Sequence, residues 1–131
     1  MVLRDKVDLL QLEVRCDPSA AAEVRAAIGR LDHLGWIAGD AMLVASELVT
    51  NVIIHSGCEQ GRHIDLKVTE TRDALTISAH DPAGERSSQS PDLGTLARGS
   101  GLGLVVVDAL AREWGTDRDR GYRAWAEIAK A

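Results

Sequence analysis

The sequence predicts an α+β fold, a two-layer sandwich of one mixed, mainly antiparallel sheet with helices packed on one face. Three observations carry this expectation. Two pairs of alternating apolar segments, residues 63–69 with 75–79 and 114–117 with 122–129, are each joined by a short turn, as antiparallel hairpins are. Two strongly apolar helical stretches, 40–55 and 101–113, stand separately from those hairpins. With 131 residues, the chain is long enough to bury a core without staples and reads as one domain, 1–131.

Residues 7–14 alternate loosely and read as the first strand. Asp17-Pro18-Ser19 marks a helix start, with Pro just inside the first turn, and leads an Ala-rich helix to about Leu34. Gly35 and Gly39 break that helix before the segment 40–55, where Met42, Leu43, Val44, Leu48, Val49, Val52, Ile53 and Ile54 make a helix apolar nearly all round, hence largely buried. Gly57 ends it near Ser56. In 63–69 the residues Ile64, Leu66 and Val68 share one face, Arg72-Asp73 turns the chain, and 75–79 returns. Residues 83–98 are polar, with Ser87, Ser88, Ser90, Pro91 and Gly94; a loop of that length in a compact domain is usually a lid or a binding segment. The helix 101–113 and a last hairpin around Asp119-Arg120-Gly121 complete the chain.

Within the helix 40–55, Glu47, Asn51 and His55 recur every fourth residue, which stacks a carboxylate, a carboxamide and an imidazole on one face. Buried polar groups need partners, so such a stripe suits a ligand, a metal or water at a pocket rim as well as it suits a solvated face. Gly99-Ser100-Gly101-Leu102-Gly103-Leu104 lets the backbone approach a ligand closely and opens a helix, whose free N–H groups favour phosphate; a plain flexible turn is the simpler alternative. The motif is not a P-loop, since Leu104 and Val105 stand where Lys and Ser or Thr belong, and no strand precedes it as a dinucleotide-binding loop requires. Asp81 ends an apolar strand, where a carboxylate can accept from an exocyclic amine such as that of adenine, although Asp before Pro also commonly starts a turn. The combination of the three elements favours a pocket.

Glu47-x-x-x-Asn51-x-x-x-His55, Asp81 with a glycine nearby, and Gly99-x-Gly101-x-Gly103-Leu104 resemble, in order and spacing, the N, adenine and glycine boxes of the GHKL ATPase superfamily. Ser46-Glu47-Leu48-Val49-Thr50-Asn51 and the closing Trp125-Ala126-Glu127-Ile128 are similar to bacterial anti-sigma-factor serine kinases and their actinobacterial relatives. The resemblance covers nearly the whole chain. It implies the Bergerat ATP-binding fold and the cofactors ATP and Mg²⁺. By the same resemblance Asn51 ligates the metal, Glu47 positions or activates the attacking hydroxyl, and His55 supports the site. Asp81 reads the adenine amine with Gly84 in its box; Gly99, Gly101, Leu102 and Gly103 cradle phosphate, with Arg98 as its cation. The implied partners are a sigma factor and an antagonist protein, with a homodimer as a further expectation, and the alternative is a catalytically inactive binding module of the same fold. One departure stands out: Ala83 occupies the place of the first adenine-box glycine and Gly84 comes one place late, while Pro82 fixes φ and lacks an N–H, so the turn after Asp81 must differ from the usual one.

Composition sets the limits. A net charge of −5 speaks against a nucleic-acid or anionic-membrane partner, because phosphates are held chiefly by clustered Lys and Arg. No apolar run approaches a membrane span and the N-terminus lacks a secretory apolar region, so a cytoplasmic location is expected. Cys16 and Cys58 lack metal-site or redox spacing and read as reduced structural thiols. A hydrolase dyad of Glu47 and His55 lacks a nucleophile loop, since Ser100 does not sit in a strand-to-helix elbow.

Overall fold

The computed structural model describes residues 6–58, 62–84 and 103–130. Along the chain come β1 (Val7–Arg15), α1 (Ala20–Gly29), α2 (Ile37–His55), β2 (His63–Glu70), β3 (Ala74–Asp81), α3 (Gly103–Leu110), β4 (Glu113–Asp117) and β5 (Tyr122–Ala129). The strands form one sheet in the order β1-β2-β3-β5-β4. Among the described residues every pairing is antiparallel. The architecture is otherwise the expected α+β sandwich.

Alternation builds the inner face. Ile64, Leu66 and Val68 of β2, Leu75, Ile77 and Ala79 of β3, and Tyr122, Ala124, Ala126 and Ile128 of β5 are all buried, at intervals of two residues. Over them lie Val44, Leu48 and Val52 of α2, with Val24 and Ile28 of α1 and Leu104 and Val107 of α3 in the same core. At about 25 cal/mol per Å² of apolar surface, this layer contact is the main force holding the helices to the sheet.

Several local expectations shift. Ser19 is the N-cap of α1, so Pro18 lies before the helix rather than inside its first turn; the Asp17 carboxylate accepts from both the backbone and the hydroxyl of Ser19. Those bonds lower the pKa of Asp17. The helix ends at Gly29 instead of Leu34, because its last turn tightens to Arg30 N–H to Ala27 O (3.2 Å) and Leu31 N–H to Ile28 O (3.0 Å). Gly35, at φ 58°, makes the turn into α2. Gly39 does not break the chain and sits inside α2. A helical glycine costs only about 1 kcal/mol, which the burial of Ile37 and Ala41 on either side outweighs. The extra turn makes α2 19 residues long, with a mean hydropathy of 1.6, long and apolar enough to cross a membrane by length and composition. Half of it is buried in the protein, as the central helix of a two-layer fold is, although Leu43 and Ile54 are exposed and it is not covered all round. The helix α3 stops at Leu110, because Arg112 is captured by the sheet: its N–H donates to Glu127 O (2.9 Å) and its Nε to the Glu127 carboxylate (2.9 Å).

Cys16 and Cys58 are not separate thiols. They are joined in a disulfide, with Cα atoms 6.2 Å apart, tying the end of β1 to the segment after α2.

Candidate active site

The register of the two central strands sets the site. Asp81 stands opposite Tyr122, two residues along the same inner face from the Ala79–Ala124 pair. A carboxylate and a phenol thus lie side by side where β3 ends and β5 begins, and the C-terminal half of α2 meets both. Two glycines permit the approach. Gly121 has φ 89°, and a Cβ there would fall 2.1 Å from the Asp81 carbonyl oxygen. Gly84 donates its N–H to that same carbonyl (3.0 Å), and a Cβ on it would lie 2.9 Å from Tyr122 N. The missing side chain of Gly84 therefore serves contact with β5.

Asp81 is 1% exposed and fully engaged. Its Oδ2 accepts from Ser56 Oγ (2.9 Å), both oxygens accept from Arg62 Nη2 (2.7 Å each), and Oδ1 accepts from Ala83 N–H (3.1 Å). The last bond reflects the altered loop: Pro82 has no N–H, so the first amide that can turn back to the carboxylate is that of Ala83. An ionised carboxylate offers about four lone-pair positions, and here each meets a donor.

The polar face of α2 is the opposite case. Asn51, also 1% exposed, accepts one short bond on Oδ1 from the Tyr122 hydroxyl (2.6 Å), while its Nδ2 has no hydrogen-bond partner among the described residues. One turn on, the buried Nε2 of His55 likewise has none. One turn back stands Glu47, flanked on the exposed side by Leu43 and Ile54. Burial raises the Glu47 pKa against the opposing charge of Arg25. It lowers the His55 pKa, helped by the positive charge of Arg118, so the imidazole is neutral at pH 7. Arg118 lies 4.7 Å from the centre of the Tyr122 ring, and burial pushes the Tyr122 hydroxyl up to about 12. A hydroxyl so held keeps its proton throughout the neutral range.

Asn51 can serve a metal in one of its two amide orientations. Exchange of its oxygen and nitrogen keeps the contact with Tyr122, whose hydroxyl then accepts from Nδ2 and retains its bond to the Thr116 side chain, and turns the carboxamide oxygen to the unpartnered position. A hard oxygen there suits Mg²⁺, which takes one or two protein ligands beside phosphate and water. Among the described residues no group of three or more His, Cys, Asp or Glu forms a complete metal cage. A surface cavity of about 510 Å³ lies elsewhere, lined by Cys16, Pro18, Ala21, Thr50, Ile53 and Cys58 and by none of these site residues.

Of the residues expected from the sequence, Glu47, Asn51 and His55 share one face of α2, and Tyr122 joins Asn51 to the Asp81 end. Gly103 opens α3. Arg98, Gly99, Gly101 and Leu102, with most of the loop 83–98, lie outside the described residues. Sequence reasoning missed Ser56, Arg62, Arg118 and Tyr122. Only Tyr122 carried a signal, as the chain's one tyrosine and the first inward position of an alternating strand.

Comparison with known proteins gives the same picture from another side. A search of curated proteins found no match. The family model of the histidine kinase-like ATPase domain, of the GHKL type, matches residues 10–125, from the first strand to the last. That span includes the polar face of α2, Asp81 and Tyr122, and domains of this kind bind ATP, typically with Mg²⁺. The chain therefore belongs to the histidine kinase-like ATPase domain family.

Proposed function

We propose that this chain is an ATP- and Mg²⁺-dependent regulatory serine kinase of the anti-sigma type, which acts in the cytoplasm, phosphorylates an antagonist protein and holds a sigma factor when the antagonist is absent. The observation that carries the reading is the α2 face, where Glu47 has a raised pKa and buried atoms of Asn51 and His55 lack partners among the described residues. Sites left under-bonded in this way suit a polar ligand. Bound Mg-ATP would supply the phosphoryl group, ADP leaving as its bond to the β-phosphate breaks, and the metal would neutralise part of the phosphate charge. Glu47 then accepts the proton of the attacking serine hydroxyl, a task that its raised proton affinity favours. Asn51 would hold the metal through its carboxamide oxygen once the amide is exchanged, and neutral His55 would offer an Nε2–H to a phosphate oxygen or to water. Arg98, Gly99, Gly101 and Gly103 are the groups the family resemblance assigns to the phosphates, and of these only Gly103, at the start of α3, is among the described residues.

The second reading, a binding module without catalysis, is favoured by a specific observation. The carboxylate meant for the adenine amine already has a donor at every position. Transfer from γ-labelled ATP to a candidate antagonist separates the two readings. Glu47→Ala should retain nucleotide binding while transfer falls by about 10²–10⁴-fold. Wild-type protein that binds ATP and transfers nothing to any serine supports the binding module.

A further inference from the structure

Arg62 decides what the base-reading carboxylate can accept. Its Nη2 sits 2.7 Å from each oxygen of Asp81, and Ser56 Oγ and Ala83 N–H take the remaining positions. A carboxylate in that state has no acceptor to offer to an exocyclic amine. Of these donors two are fixed. Ser56 is fully buried at the C-cap of α2, and the Ala83 amide belongs to the turn that packs on Tyr122. Arg62 is different, because its side chain is 30% exposed and its other hydrogen bond among the described residues is a long 3.5 Å contact from Nη1 to Gly57 O. Its backbone is anchored through Cys16 N–H to Arg62 O (2.8 Å), so the side chain can leave while the chain stays in place.

We infer that Arg62 is an internal competitor for the nucleobase, a cationic latch on Asp81 that must swing into solvent before the amine of adenine can be read. The inference rests on the nucleotide-binding reading above and assigns to Arg62 the setting of base affinity. The exchange replaces a charge-assisted donor by a neutral amine on a buried carboxylate, which disfavours binding. A hydrogen bond to a charged group is stronger than one between neutral groups, so removing the latch should tighten base binding by about tenfold or more.

Adenosine is the cleanest probe, because it carries no phosphate charge that a lost arginine would weaken. Calorimetric titration of adenosine and Mg-ATP into wild type, Arg62→Gln and Arg62→Lys tests the latch, with thermal melts to confirm folding. Arg62→Gln should bind adenosine about tenfold tighter, and Arg62→Lys by a smaller factor, since a lysine holds a carboxylate at one point only. If Arg62→Gln does not fold, Arg62→Lys decides by the same criterion. Wild type that binds Mg-ATP while the folded variants bind adenosine equally or more weakly overturns the latch and leaves the nucleotide reading intact. Failure of all three proteins to bind Mg-ATP overturns both.

Discussion

The two ends of the site differ in how they treat a buried polar group. At one end Asp81 is surrounded by donors from Ser56, Arg62 and Ala83. At the other, Asn51 is equally buried and makes one bond among the described residues, which also offer no partner to its amide nitrogen or to His55 Nε2 one turn away. An unmet buried polar atom costs about 1–3 kcal/mol, so a fold keeps one chiefly where something else will meet it. The difference teaches that the Asp81 end is completed by the chain itself, whereas the Asn51 end is under-bonded and suits an external ligand.

The largest effect should come from uncoupling the Asp81 end from the rest of the fold. Cys58 follows Ser56 by two residues, and its link to Cys16 spans a sequence separation of 42. Closing a loop of that length is worth about 4 kcal/mol by chain entropy. Cys16→Ser with Cys58→Ser should lower stability by about that amount in denaturant unfolding of the oxidised protein. A change below about 1 kcal/mol would mean that Ser56 and Arg62 hold the segment without the link.

Next in size is the contrast between Asp81→Ala and Asn51→Ala. The first leaves three donors, one of them the partly buried Arg62 guanidinium, without an acceptor, and breaking a buried ion pair costs about 3–5 kcal/mol; the exposure of Arg62 puts the expected loss near the lower end. The second removes a single neutral bond, worth about 0.5–1.5 kcal/mol, but should weaken Mg-ATP far more than metal-free ADP. Equal stability losses for the two variants would erase the distinction between the two ends.

How much of this was legible follows from the range of each contact. The hairpins, the sheet face and the helix carrying Glu47, Asn51 and His55 depend on periodicities within single segments, and those are written locally. The partners are not. Arg62 reaches Asp81 across 19 positions and Tyr122 reaches Asn51 across 71, and nothing near either residue announces the contact. The Cys16–Cys58 link is of the same kind, because the thiols meet only once β1 and the end of α2 are laid side by side. Gly39 was misleading for the converse reason, since its local preference was outweighed by the burial of its neighbours Ile37 and Ala41.

A smaller effect should come from Tyr122→Phe, which keeps the ring in the core and removes the bond from its hydroxyl to Asn51. The expected loss is about 1 kcal/mol of stability, and binding of Mg-ATP should fall because the Asn51 amide is no longer oriented. Unchanged metal dependence in this variant would show that Tyr122 supports only the core.

The smallest effect is the pH response of the under-bonded end, where both titrating groups are still partly in solvent and therefore screened. His55 has its pKa lowered by burial and by Arg118, so the folded protein holds its proton less tightly than the unfolded chain does. Its contribution to stability is therefore fully present above the unfolded value of 6.5 and declines as the pH falls through the folded value. Glu47 has the opposite sign: with its pKa raised by burial, its contribution is present below the unfolded value of 4.5 and declines as the pH rises through the folded one. Urea unfolding between pH 7.5 and pH 5, in steps of about half a unit, should show a fall on the acid side that is reduced in His55→Gln, while Glu47→Gln should gain slightly on the neutral side. An acid-side fall of full size in His55→Gln would place its origin outside the polar face of α2.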